Sequence, residues 1–221
     1  MKMLSSIILV AVAVTAFAAD TVIERAPGAA AGTDSPTDAS LTLRWDSGYS
    51  KWMISWPTGA GAWVGNDFDI STVSTFSHIR AVRVLSSYVW PNGVWDGYRV
   101  GVYAFAGVPA SLLWPTSGGG RFVVPTGSNG WKDLPVNWTL PGGTHTFLAA
   151  IEQCYDYPNC DPFIVDNNHT FLLHSWQYYR GPWEALDGVQ VYRNLMLRVV
   201  VDNETVSVAP TSVGRVKALY Y

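Results

Sequence analysis

Charge is scarce in this chain: only 14% of its residues are Asp, Glu, Lys or Arg. The 14 Lys and Arg stand against 17 Asp and Glu, for a formal net charge of −3, and the basic residues form no cluster. Nucleic-acid binding, which needs a basic stripe or patch, is disfavoured. No cationic amphipathic helix follows the N-terminal region, which disfavours a role on a membrane surface. Cysteine is also sparse, with Cys154 and Cys160 alone. The chain is long enough to bury a sizeable core without a disulfide framework. Zinc is not expected, because no second Cys or His pair stands at ligand spacing.

Motifs of known chemistry are missing as well. There is no Gly-x-Ser-x-Gly nucleophile elbow, no His-Glu-x-x-His and no EF-hand loop. Gly59-Ala60-Gly61 reads as a turn, since no strand–turn–helix context makes it a dinucleotide fingerprint. His78, His145, His169 and His174 are scattered. His174 lies in alternation with Leu172 and Trp176, so a sheet-face position is expected for it rather than a catalytic one.

One long apolar run is present, Leu4 to Ala18 behind Lys2. At about 15 residues it is shorter than the roughly 20 that span a bilayer. It ends in Ala16-Phe17-Ala18-Ala19, the small-x-small pattern of a signal-peptidase site. The expectation is a signal peptide over 1–19, with an uncleaved anchor as the alternative, and no membrane span after its removal. Residues 20–40, rich in Gly, Ala, Pro and Ser, read as a flexible arm. Residues 41–204 read as one domain and 205–221 as a tail. About 200 residues suit a single large sandwich.

What the chain has in abundance is aromatic: 11 Trp and 11 Tyr in 221 residues. Strand-like runs alternate with Gly and Pro clusters from Leu41 onward. In the run 97–106, Tyr98, Val100, Val102 and Ala104 share one face, and Arg99, Gly101, Tyr103 and Phe105 the other. This run and the run 78–89 flank Trp90-Pro91-Asn92-Gly93 and form the clearest strand pair. In 194–202, Leu195, Leu197, Val199 and Val201 oppose Met196, Arg198 and Val200. The only helical hints after the N-terminal run are Pro109 to Leu113 and the tail from Thr211. The fold class is all-β, an antiparallel β-sandwich of jelly-roll type.

The order of these features resembles an uncharacterised class of β-sandwich modules in secreted and surface proteins of environmental bacteria. The resemblance is carried by Trp90-Pro91-x-Gly93 followed by Asp96-Gly97, and by the strand Arg99 to Tyr103. Gly107-Val108-Pro109 with Leu112-Leu113, Gly130-Trp131, Ser175-Trp176 and Met196 to Val200 follow. It covers roughly residues 41–202, and the ending Ser212 to Tyr220 matches many such exported chains. It implies export, accessory binding or surface structure, and no catalytic residue.

Candidate chemistry follows from residue types. Trp90, Trp95, Trp176, Tyr178, Tyr179 and Trp183 fall in or near turns, where rings form stacking platforms for sugars or anchors for proteins. The alternative for each is core packing, which is expected of Trp45, Trp52 and Trp56. Calcium is a possible ion, since Asp67, Asp69, Asp156, Asp161 and Asp166 offer hard oxygens in turn-rich sequence. Such residues also populate ordinary turns. No other cofactor is implied. Cys154 and Cys160 in CYDYPNC suit a small disulfide loop in an exported chain, with two thiols as the alternative. Glu152 and Glu184 are the best carboxylates for a glycoside hydrolase, which needs two of them about 5–10 Å apart. The leading expectation is a non-enzymatic, secreted structural or adhesive protein, self-assembling or joined to other surface proteins. Thr21-Val22-Ile23 is the segment able to add to a neighbour's sheet. The alternatives are a polysaccharide-binding module and, last, a hydrolase.

Overall fold

The computed structural model describes residues 22–25, 40–71, 76–86, 97–116, 121–122, 130–166, 173–186 and 194–202. Every regular element among them is a strand. In chain order these are β1 (Val22–Arg25), β2 (Ser40–Leu43), β3 (Ser50–Ser55), β4 (Ala62–Asp69), β5 (His78–Ser86), β6 (Tyr98–Phe105) and β7 (Pro109–Trp114). They continue as β8 (Arg121–Phe122), β9 (Gly130–Thr139), β10 (Thr146–Gln153), β11 (Phe163–Asp166), β12 (Ser175–Tyr178), β13 (Trp183–Ala185) and β14 (Leu197–Asp202). Among the described residues no helix is long and apolar enough to cross a membrane.

The strands form antiparallel sheets packed as a sandwich, as expected for the class. A seven-stranded sheet runs β13-β12-β4-β10-β6-β7, with β8 also paired to β6. A four-stranded sheet runs β2-β14-β5-β9, and a three-stranded one runs β1-β3-β11. An isolated bridge pairs Val165 of β11 with Leu195, two residues before β14 begins. Period-two alternation decides which side chains meet between the layers. Val64, Phe68, Val100, Val102, Phe147, Ala149 and Ile151 of the large sheet bury against Ile79, Val82, Val84, Leu197, Val199 and Val201 of the four-stranded one. A polar tie joins the seven-stranded sheet to the segment leading into β14 across this core. Asn66 donates from Nδ2 to the Leu195 and Leu197 carbonyls, and Ser175 Oγ donates to Asn66 Oδ1 while accepting from Leu195 N. A buried amide and hydroxyl satisfied in this way fix the register of the two layers.

Both alternation patterns read in the sequence hold. Tyr98, Val100 and Val102 are buried in the main core, and so are Leu195, Leu197, Val199 and Val201. Two local expectations do not. Pro109–Leu113 is part of strand β7, docked on β6 by backbone pairing, so tertiary pairing overrides the weak helical signal. The runs around Trp90 to Gly93 do not pair with each other: β5 lies in the four-stranded sheet and β6 in the seven-stranded one. Each buries an aliphatic face in the same core, which places them in opposite layers. The segment expected to add to a neighbour's sheet is a strand, but it pairs with this chain's own β3, Val22 opposite Ser55 and Arg25 opposite Trp52.

Candidate functional site: an aromatic trough on the large sheet

The second face of the seven-stranded sheet carries a different set of side chains. Strand register places them in rows. Trp63 lies opposite Glu152, which lies opposite Arg99. One step along the strands, Gly65, Ala150 and Gly101 are in register, with Trp176 beside Gly65. The next row is Asp67, Leu148 and Tyr103. Tyr178 pairs with Trp63 on one side and Trp183 on the other.

Ring contacts show that this face is strongly curled. Tyr103 on β6 and Trp183 on β13 have centroids 5.3 Å apart, yet their strands are separated by four sheet positions, about 19 Å in a flat sheet. Phe105 on β6 reaches Trp176 on β12 at 5.4 Å across three positions. Trp63 meets Tyr103 edge-on at 5.8 Å, and Tyr178 meets Trp183 at 5.7 Å. The sheet therefore folds over its own second face into a trough. Leu148 and Ala150, at its centre, are fully buried.

The floor permits this. A Cβ on Gly101 would lie 2.9 Å from Tyr103 Cε2, 3.0 Å from Trp63 Cζ3 and 3.3 Å from Leu112 Cδ1. The rings thus rest in the space that the missing side chain leaves. Edge-on ring pairs of this kind each add about 0.5–1.5 kcal/mol beyond their burial. Trp63, Tyr103, Phe105, Trp176 and Trp183 are half-buried and Tyr178 is exposed, so the rings hold one another and still present surface to solvent.

Polar groups stand at both ends. At one, Arg99 Nη1 lies 3.3 and 3.2 Å from the two Glu152 oxygens. Burial holds the Glu152 carboxyl above its ordinary pKa, and Arg99 partly opposes that shift. At the other end, the Asp67 carboxylate accepts from Trp176 Nε1 at 2.7 Å and pairs with His174 Nδ1 at 2.8 Å. The His174 ring stacks on Trp45 at 3.7 Å, nearly parallel, and Trp45 Nε1 donates to the Asp67 carbonyl. Burial, with Glu152 nearby, raises the Tyr103 phenol well above its usual value.

Of the aromatic residues singled out from sequence, Trp176, Tyr178 and Trp183 lie on the trough. Tyr179 does not: it stacks on Trp56 at 5.2 Å, packs against the main core and carries Arg180 over its ring. Trp90 and Trp95 lie outside the described residues. Trp63, Arg99, Tyr103 and Phe105 join the site without having been singled out. Their signal was the second face of each strand, visible for β6 as Arg99-x-Gly101-x-Tyr103-x-Phe105.

Glu152 and Glu184 are not brought together. Glu152 faces the trough, whereas Glu184 alternates with Trp183 and Ala185 onto the opposite face, where it accepts from Gln177 Nε2 at 2.6 Å. They cannot flank one glycosidic bond. The five aspartates considered for calcium are dispersed, and among the described residues no three His, Cys, Asp or Glu side chains gather as a metal-holding group. Asp67 serves the trough. Asp69 caps Ser71 N, which holds its carboxyl below the usual range. Asp156 accepts from Ala60 N, Asp161 from Gly97 N and Asp166 from Ser47 N and Asn194 N. The bridge expected between Cys154 and Cys160 is not formed in this structure. Both stand as thiols, with Cys154 Sγ donating to the Glu152 carbonyl at 3.7 Å and Cys160 buried.

The fold and this face define an antiparallel β-sandwich with an aromatic trough on its larger sheet. No protein-family model matches the sequence, and no curated protein matches it. Two solved structures are similar to it in fold. One comprises the cysteine protease and lectin-like domains of Cwp84, a surface layer associated protein of Clostridium difficile, at a TM-score of 0.52 and 14% identity over 77% of this chain. The other is the clostridial cysteine protease Cwp84 in a variant form after propeptide cleavage, at 0.51 and 13% over 77% of this chain. This chain spans 37% and 42% of those two chains.

Proposed function

We propose that this is an exported surface protein whose trough binds the sugar rings of a polysaccharide without transforming them. The observation that carries the reading is the row of half-exposed rings, Trp63, Tyr103, Trp183 and Tyr178, held by one another and ended by hydrogen-bonding side chains. Sugar rings present apolar C–H faces that stack on aromatic rings, and hydroxyl edges that need donors and acceptors beside them. The arrangement supplies both and offers no facing carboxylate pair from Glu152 and Glu184. The N-terminal apolar run ending in Ala16-Phe17-Ala18 supports export. The fold likeness to a surface layer associated protein that includes a lectin-like domain agrees with an extracellular binding role.

The test is retention of the full secreted chain in gels containing soluble neutral and acidic polysaccharides, with Trp183→Ala beside it. Retardation by at least one polysaccharide, lost in Trp183→Ala at an unchanged fold, is the expected result. A wild-type chain that no polysaccharide retards overturns the reading, and so does a variant retarded as strongly as wild type.

A further inference from the structure

The Glu152–Arg99 end of the trough is built unlike an ion pair whose role is structural. Both contacts use one guanidinium nitrogen, Nη1, at 3.2–3.3 Å. Among the described residues, Nε and Nη2 of Arg99 carry no partner, and the side chain is 49% exposed against 9% for Glu152. A nearly buried carboxylate is therefore left with spare acceptor capacity, beside a guanidinium with spare donors. The register sets both next to Trp63, whose ring lies over Gly101.

On this reading of the trough as a glycan site, we infer that Glu152 and Arg99 form a clamp for two adjacent hydroxyls of a neutral sugar. Adjacent ring hydroxyls are spaced much like the nitrogens on one edge of a guanidinium and the oxygens of a carboxylate. Each hydroxyl can accept from Arg99 and donate to Glu152 while the ring lies on Trp63. Among the described residues, the register sets Asp67, Asp69 and Glu152 on this face against Arg99 and Arg121, with His174 held by Asp67. That small excess of carboxylate, with Glu152 itself at the clamp, disfavours a polyuronate and favours a neutral glycan as the ligand class.

Linkage chemistry gives the test. A 1,4-linked hexose or pentose chain keeps the adjacent hydroxyls at its second and third carbons, whereas a 1,3-linked glucan has no adjacent pair. Calorimetric titration of the full chain would use soluble 1,4-linked glucan, xylan and galactomannan. A 1,3-linked glucan, a polyuronate and periodate-oxidised samples of the 1,4-linked polymers, with their diols cleaved, serve as comparisons. Binding to at least one intact 1,4-linked polymer is expected, lost on oxidation and absent for the 1,3-linked glucan and the polyuronate. Arg99→Lys keeps the charge without the planar fork and should weaken binding by about tenfold or more, since hydrogen bonds to charged groups are at stake. Its melting temperature should be unchanged, because Arg99 is half-exposed. Equal binding of the 1,3-linked or oxidised polymers, preference for the polyuronate, or full affinity in Arg99→Lys overturns the clamp. If those results come with loss of binding in Trp183→Ala, the glycan site stands and only the clamp fails. If the wild type binds none of the polymers, the glycan reading itself fails and the clamp falls with it.

Discussion

Two arginines on strands of opposite layers reach carboxylates in opposite ways. Arg198, on β14, is 1% exposed and its partner Asp46 is 0% exposed. It donates from Nε to Oδ2 at 2.9 Å and from Nη2 to Oδ1 at 2.7 Å, and its guanidinium lies 3.8 Å above the Trp131 ring. Arg99, on β6, uses a single nitrogen at longer range and stays half in solvent. The first pair is a closed, two-pronged contact whose geometry offsets desolvation. The second spends little of its hydrogen-bonding capacity on itself. The back of the sandwich is finished by its ion pair, while the trough holds one that is still open to a ligand.

The largest way to break the contrast is at Asp46. Asp46→Ala strands a fully buried guanidinium and should cost about 3–5 kcal/mol. Urea unfolding measures this directly. Glu152→Gln leaves Arg99 able to turn into water and should cost far less. Equal losses from the two substitutions would mean that the trough pair is structural, like the other.

A second prediction sharpens the difference between the two faces of the large sheet. The inner face mixes aliphatic side chains with Phe68, Tyr98 and Phe147 and packs against another sheet, whereas the trough face depends on rings resting over Gly101. Gly101→Val would place Cβ within 2.9–3.3 Å of Tyr103, Trp63 and Leu112. Overpacking of this kind costs about 1–3 kcal/mol. Leu112 is exposed and can swing away, so the strain falls on the Trp63–Tyr103 pair. The expected outcome is a lower melting temperature with polysaccharide retardation lost, and altered near-ultraviolet dichroism would report the displaced rings. Unchanged dichroism would show that the rings do not depend on the glycine floor.

The sequence made the strands legible where one face is aliphatic. β6 and β14 could be read residue by residue because Val100 and Val102, or Leu197, Val199 and Val201, alternate with unlike neighbours. It was silent on β11 and β13, which are too short, at four and three residues, for a period to declare itself. The site was half legible. Trp176, Tyr178 and Trp183 stood out as aromatic residues near turns, but Tyr179, their neighbour, turns inward because alternation reverses its face. Trp63 read as one more strand residue. Nothing local shows that β12 lies beside β4, with Ser175 opposite Asn66, or that the sheet curls far enough to bring Trp183 to Tyr103. Those facts belong to strand order, which no single segment encodes.

The smallest expected effect concerns pH, and it bears on how open the trough pair is. Burial holds the Glu152 carboxyl above its ordinary value of 4.5, with Arg99 opposing. A carboxyl raised in the folded state binds its proton more tightly there than in the unfolded chain. Its contribution to stability is therefore greatest below the unfolded pKa and declines as pH rises through the folded one. Glutamine does not titrate. The stability of the wild type relative to Glu152→Gln should thus be flat below about pH 4 and fall as pH rises above 4.5, as followed by urea unfolding of both chains across that window. A Glu152 carboxylate gripped tightly by Arg99 would give the opposite sign, because a well-formed cationic partner lowers a carboxyl and stability then rises with pH. A rising difference would place Arg99 tightly on Glu152, leaving neither group with capacity for a sugar. A falling one means that desolvation outweighs the pairing, the condition under which a hydroxyl-bearing ligand gains most by reaching that carboxylate.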